Sequence, residues 1–168
     1  MTEAAGTRRA LVVGGSVVVG ANGAAGEIGY NLRRFGHGAL EPLVSGLGLA
    51  AEAERRTGLR LSAAEIFAQE ASDPQLTELV DEFVSELSYQ LVNLAIAVDP
   101  SRIALGGGMT RAWKRIVTPL RAALIESVPF PPEVVPAAFP FDAPLVGAIA
   151  LAVDALGNQL GPERRNGT

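Results

Sequence analysis

The strongest constraint in this sequence is a long apolar pattern between two aspartate-proline pairs. Apolar side chains recur at three- and four-residue steps through this stretch: Leu76, Leu79, Val80, Phe83, Val84, Leu87, Leu91, Leu94, Ala95 and Val98. Asp73 precedes Pro74 as an N-cap with proline at the first helical position, and Asp99-Pro100 marks the end. The pattern predicts one amphipathic helix over residues 74–98, with its apolar stripe on the core.

A short strand, a glycine loop and a second helix follow this long helix. Ser101 to Leu105 is a brief apolar stretch, Gly106-Gly107-Gly108 follows it, and Arg111 to Glu126 again shows helical spacing. This order predicts an α/β protein, in which ligands commonly lie at the carboxyl end of such a strand. The triple glycine matches neither GxGxxG nor GxxxxGK[ST], so a nucleotide role stays open on pattern alone.

The remaining segments add one hairpin, three helices and one strand. Two β-branched strands are predicted around a Gly14-Gly15 turn. A helix loosened by glycines, a short helix with a Ser62-to-Glu65 capping box and a final helix after Asp142 are also predicted. The predicted ranges are 10–13 and 16–19 for the hairpin, 40–57, 62–71 and 143–156 for the helices, and 133–137 for a strand flanked by prolines.

Composition excludes several classes of protein. The 168 residues are 48% hydrophobic and fit one globular domain. The 14 basic side chains are scattered among 18 acidic ones, which argues against binding to nucleic acid. Cysteine is absent and histidine occurs once, so disulfides and a cysteine or multi-histidine zinc site are excluded within this chain. No apolar run is long enough to span a bilayer, so we expect a soluble, cytoplasmic protein.

The glycine-dense stretch from Gly20 to Tyr30 is either a tight connection or a ligand loop. Within it, Glu27 is explained neither by capping nor by a helical surface, so it is the best candidate for binding a hydroxylated ligand, although a solvated side chain is the alternative. The aspartates in contrast lie at helix boundaries or within helices. His37, between two glycines, is better read as solvated or structural than as a metal ligand.

Four motifs, taken in order, resemble the ROK family (repressor, open reading frame, kinase) of sugar kinases and sugar-responsive repressors. They are the Gly20–Tyr30 stretch, Gly38-Ala-Leu-Glu41 with Ser45-Gly46, Asp99-Pro-Ser-Arg-Ile-Ala-Leu-Gly-Gly-Gly108, and Asp142-Ala-Pro-Leu-Val-Gly-Ala148. The resemblance covers residues 10–156. It implies the C-terminal half of an actin-like, ribonuclease-H-like ATPase fold, in which a mixed sheet is flanked by long helices.

The resemblance also implies a binding site and partners. Glu27 would contact a sugar hydroxyl, with Glu41, Asn22 and Tyr30 on the sugar side. The Gly106, Gly107 and Gly108 backbone would pass close to the adenosine of ATP, which would bring magnesium. The expected partners are a small sugar and a second copy of the chain in a homodimer.

Two departures from the family pattern change the expected function. Tyr30 replaces a family histidine and Ala39 stands where a cysteine would be, so we expect no zinc. The family's first phosphate loop and catalytic aspartate would precede Met1, and the second loop would fall near residues 4–9, where Gly6-Thr7 is a remnant. Phosphoryl transfer depends on such positioning, so we expect no autonomous kinase and name no catalytic residue in this sequence.

Three functions therefore remain open. The first is a ROK-like domain over residues 10–157, sugar-binding at most and related to transcriptional regulators, between a disordered or remnant segment 1–9 and a disordered tail 158–168. The second is the C-terminal half of an ATP-dependent glucose or N-acetylhexosamine kinase, completed by an N-terminal half. The third is a dimerisation module without ligand, suggested by the apolar helix 74–98.

Overall fold

The computed structural model describes residues 10–33 and 44–159. Glu41, His37, segment 1–9 and the tail from residue 160 lie outside these ranges. The elements, in chain order, are β1 (Leu11–Val13), β2 (Ser16–Val18), α1 (Gly46–Thr57), α2 (Ala63–Gln69), α3 (Pro74–Val98), β3 (Arg102–Leu105), α4 (Trp113–Ser127), β4 (Glu133–Pro136) and α5 (Ala143–Gln159). Short 3₁₀ helices are found at Ile28–Tyr30, Glu70–Ser72 and Gly108–Ala112.

The long helix α3 is the centre of the core, as its pattern predicts. Asp73 Oδ1 accepts hydrogen bonds from the Gln75 and Leu76 amides at 2.8 and 3.4 Å, with Pro74 in the first turn. Most of the apolar stripe of α3 is buried, and Phe83 is fully enclosed with its ring packed edge-on against Phe67 of α2. Helices α1, α2 and α4 pack around α3. Most of its stripe is therefore covered within the described residues, and Leu94 and Val98 near its C-terminal end are half-buried.

The strands form two small sheets rather than one broad sheet. β1 and β2 pair antiparallel, with Leu11 opposite Val18, around a turn in which Gly14 and Gly15 both have positive φ. β3 and β4 pair parallel, with Ile103 opposite Val134. The architecture is mixed α/β with long helices, and the hairpin stands apart from the β3–β4 pair.

Several predicted boundaries need correction. The helix predicted over residues 40–57 is observed as α1 from Gly46, where the Ser45 hydroxyl accepts the Gly48 amide as an N-cap, and residues 40–43 lie outside the described ranges. The helix predicted from Arg111 begins at Trp113, after the 3₁₀ helix. The final helix continues to Gln159 rather than ending at residue 156. The Ser62–Glu65 capping box is confirmed in both directions.

Candidate functional site

A cleft of about 760 Å³ lies between the hairpin and the elements packed on the other side of the molecule. One wall is formed by β1 and the loop that contains Glu27, and the other by α3, β3 and the start of α4. The cleft is lined mainly by apolar side chains, among them Leu91, Ile103 and Trp113. A concave, largely apolar cleft with a few polar groups is typical of a small-molecule site.

Glu27 is held at this cleft by a tightly folded loop. The Ala25 amide donates to the Val19 carbonyl at 3.1 Å, and the Glu27 amide donates to the Ala24 carbonyl at 3.2 Å. Gly26 has a φ of 83°, and a Cβ there would lie 3.4 Å from the Leu11 backbone nitrogen. A side chain at this position would be strained by the positive φ rather than by lack of space, so the backbone conformation of the loop favours glycine here.

The carboxylate of Glu27 is exposed and has no hydrogen-bond or ion-pair partner among the described residues. Although Glu27 precedes the 3₁₀ helix Ile28–Tyr30, its side chain makes no capping bond. Of the described residues that line the cleft, Glu27 is the one carboxylate. The other charged residue, Arg102, is paired with Glu133 at 2.8 Å. The oxygens of Glu27 are therefore available to accept hydrogen bonds from a hydroxylated ligand.

The glycine loop contributes to the same cleft through its first residue. Gly106 lines the cleft, whereas Gly107 and Gly108 lie beyond its lining. The Gly107 amide donates to the Pro140 carbonyl at 2.7 Å, which fixes the turn. A Cβ on Gly107 or Gly108 would meet nothing within 4 Å, whereas one on Gly106 would approach the Ala137 Cβ to 3.2 Å. The loop thus presents open backbone on one side.

The other candidates from the sequence are placed differently. Asn22 and Tyr30 are exposed and do not line the cleft, Tyr30 being 78% exposed. Glu41 lies outside the described residues. Among the candidates, the structure therefore brings Glu27 and Gly106 to one cleft.

A buried glutamine behind the loop was missed by the sequence analysis. Gln90 of α3 is 3% exposed and contacts Asn31, which lines the cleft just after the 3₁₀ helix. The missed signal was spacing, since residues 83, 86 and 90 continue the helical steps of the buried stripe, so a polar residue at 90 faces the core.

The described part of the chain contains neither a cluster of metal-binding side chains nor a membrane-spanning helix. Residues 10–33 and 44–159 contain no group of three His, Cys, Asp or Glu side chains that could hold a metal ion. None of the helices in these two ranges is both long enough and apolar enough to cross a membrane.

Comparison with curated proteins finds sugar kinases. A glucokinase from Halalkalibacterium halodurans is 29% identical over 147 residues, which cover 72% of this chain and 44% of that protein. An N-acetylmannosamine kinase from Vibrio cholerae is 28% identical over 156 residues, covering 88% of this chain and 54% of that kinase. The chain spans about half the length of these relatives.

Solved structures show the same fold. A ROK hexokinase from Thermus thermophilus superposes with a TM-score of 0.72 at 26% identity, covering 88% of this chain and 54% of the hexokinase. A ROK transcriptional regulator similar to the Escherichia coli MLC protein gives a TM-score of 0.62 at 20% identity, covering 76% of this chain and 38% of the regulator. The ROK kinase fold is an actin-like ATPase fold, which confirms the predicted fold class. A model of the ROK family matches residues 4–155, and the chain belongs to this family.

Proposed function

We propose that this chain is a sugar-binding ROK domain, and that the cleft next to Glu27 takes a hexose or an N-acetylhexosamine. The observation that carries the proposal is the unpaired Glu27 carboxylate on the wall of a largely apolar cleft. A pyranose offers hydroxyl groups along its rim and C–H groups on its faces. The carboxylate would accept the hydroxyl protons, while side chains such as Leu91 would pack on the C–H face.

The relatives support this ligand class. A glucokinase and an N-acetylmannosamine kinase align with most of this chain, and both act on sugars of this size. Asn22, Tyr30 and Glu41 are proposed as further sugar contacts by family resemblance. For Asn22 and Tyr30, this contact requires the ligand to extend past the cleft lining, because both side chains are exposed outside it.

For ATP, the proposed site is the part of the cleft that Gly106 lines. Gly106 lines the cleft, and the open space over Gly107 and Gly108 suits the close approach of a ribose or purine. ATP would supply the phosphoryl group, and its phosphates would bring magnesium. The chain's own part would be to hold adenosine against the glycine backbone, with Glu27 orienting the sugar.

Binding is better supported than phosphoryl transfer for the chain by itself. A sugar kinase needs a carboxylate that accepts the proton of the attacking hydroxyl. Among the described lining residues Glu27 is the one carboxylate, and it is here assigned to sugar binding. The second candidate function is the C-terminal half of an ATP-dependent sugar kinase, and the greater length of the relatives favours it. For both candidate functions we propose a cytoplasmic location.

A thermal-shift titration of the 168-residue chain tests the proposal. The sugars are D-glucose, N-acetyl-D-glucosamine, N-acetyl-D-mannosamine and D-xylose, each with and without magnesium ATP. Because a ligand that binds only the folded state stabilises it by about 2.7 kcal/mol at 100 times Kd, one sugar should raise Tm by about 5 to 10 °C in a domain of this size.

A pair of variants then assigns the site. Glu27→Ala should weaken binding of that sugar about 10- to 100-fold, the value of a hydrogen bond to a charged group. Glu126→Gln, a carboxylate on α4 outside the cleft, is the matched control and should bind like the parent. No shift with any sugar, from a cooperatively folding protein, refutes the proposal. Release of ADP with the active sugar distinguishes a kinase from a binding domain.

A further inference from the structure

We infer that Gln90 is a positioning residue for the sugar-binding loop, holding the segment from Glu27 to Leu32 against helix α3. The sugar ligand in this inference rests on the proposed function, whereas the ordering of the loop by Gln90 rests on the loop contacts alone. Gln90 lies in the middle of α3, far from the loop in sequence. Its side chain nevertheless makes hydrogen bonds to two residues of this segment.

Every hydrogen-bonding group of the Gln90 amide has a partner. Its Oε1 accepts from Asn31 Nδ2 at 3.1 Å, and its Nε2 donates to the Leu32 carbonyl at 2.9 Å and to Glu86 Oε1 at 3.0 Å. Gln90 and Glu86 are 3% and 6% exposed. An amide with one acceptor and two donors engaged inside the core has one orientation. The loop is thus fixed at two successive residues.

The 3₁₀ helix Ile28–Tyr30 connects Asn31, which is bonded to Gln90, to Glu27. The Tyr30 amide donates to the Glu27 carbonyl at 3.2 Å, and the Asn31 amide donates to the Ile28 carbonyl at 3.0 Å. The Ile28 side chain is buried in the core, so the turn is anchored on its inner side as well. Asn31 also lines the cleft. The direction of the Glu27 carboxylate therefore depends on the register that Gln90 sets.

The test uses Gln90→Met, which keeps the length and helix propensity of the side chain and removes its hydrogen bonds. Asn93→Met is the matched control, because Asn93 is one turn further along α3, exposed, and bonded to the Tyr89 carbonyl of its own helix. Two readouts are taken on the full chain. They are hydrogen exchange at the Tyr30 and Asn31 amides, and the Kd of the sugar found active among the four named above.

Gln90→Met should speed exchange at these two amides about 10-fold, the equivalent of one lost hydrogen bond. Amides around Phe83 in α3 should exchange at the rate of the parent protein. Sugar affinity should fall about 10-fold because the Glu27 carboxylate is misplaced. The Asn93 variant should match the parent in both readouts. If the Gln90 variant does not fold, Asn31→Ala removes the loop side of the same bond and should give the same faster exchange.

Unchanged exchange at Tyr30 and Asn31 overturns the inference. So does an equal increase throughout α3, which would show a general loss of stability, and so does an unchanged sugar Kd in a loop that has loosened. If the parent binds none of the four sugars, the proposed function fails by itself. The exchange comparison still decides whether Gln90 orders the loop.

Discussion

Glu52 of α1 pairs with two arginines of its own helix, and one of them also links α1 to α3. It accepts hydrogen bonds from Arg55 and from Arg56, the latter at 2.8 Å. Arg56 in turn reaches Glu82 of α3 at 2.6 Å. The hydrogen bond from Arg55 is the largest cause that lowers the pKa of Glu52 to about 2, with Arg56 adding to it against a smaller opposing effect of burial.

The pairing of Glu52 with the two arginines predicts a loss of stability in acid. Because the folded-state pKa of Glu52 lies below its ordinary value of 4.5, the stabilisation is complete above that pH and is lost as the pH falls towards about 2. The contribution is about 1 kcal/mol, since Arg55 is largely exposed and its pairing is screened by solvent. Glu52→Gln should lower Tm by about 2 to 4 °C at pH 7.

The difference in Tm between the parent and Glu52→Gln should shrink as the pH is lowered from 4.5 to 2. Thermal melts followed by circular dichroism measure it. Glu126→Gln serves as the control, because Glu126 has no ion pair within the described structure. A constant Tm difference between parent and Glu52→Gln down to pH 2 would contradict the assignment of this carboxylate.

At the scale of elements, local signals in the sequence correctly located the helices. The Asp73-Pro74 pair and the Ser62–Glu65 box are complete within one helical turn, so their geometry follows from the residues themselves. The beginning of α4 was wrong by two residues, because the 3₁₀ helix after the glycine loop depends on the Gly107–Pro140 contact, which joins distant parts of the chain.

The cleft could be predicted only in part. Glu27 was selected by its glycine neighbours, but its position across from Gly106 depends on packing of the hairpin near α3 and β3, which no local pattern contains. Tyr30 was selected by family position, and its exposure follows from the 3₁₀ turn that buries Ile28. Contacts between residues far apart in sequence, such as Gln90 with Asn31, escaped prediction for the same reason.

The N-cap of α3 gives a prediction at this scale. Asp73→Ala removes the acceptor for the Gln75 and Leu76 amides and should destabilise the protein by about 1 kcal/mol. Asp73→Asn keeps an acceptor oxygen at the same place and should lose only a fraction of that stability. Urea unfolding of the three proteins, read at equal m-values, measures the difference. Equal midpoints for the parent and the alanine variant would show that the cap contributes nothing.

At the scale of the whole molecule, the hairpin and α5 each expose several large apolar side chains. In the hairpin, Val12, Val13, Val17 and Val19 are all more than half exposed. In α5, the exposed side chains lie on opposite sides of the helix, with Ile149 at 55% and Leu151 at 73% exposure. None of the described side chains of α5 is buried by the described part of the chain. The relatives that align with this chain are about twice as long, so they contain much surface that this chain does not.

These surfaces predict that the 168-residue chain self-associates. Exposed apolar side chains favour protein association in water because association removes them from solvent. Light scattering coupled to size exclusion should give a mass above the 17.4 kDa of one chain, rising with concentration. Ile149→Glu should shift the mass towards one chain, because a charge on α5 opposes burial of that helix. Leu59→Glu, at a similarly exposed leucine just after α1, should leave the association unchanged. A parent that stays monomeric at every concentration would contradict the prediction, and equal effects of the two variants would show that α5 is not the associating surface.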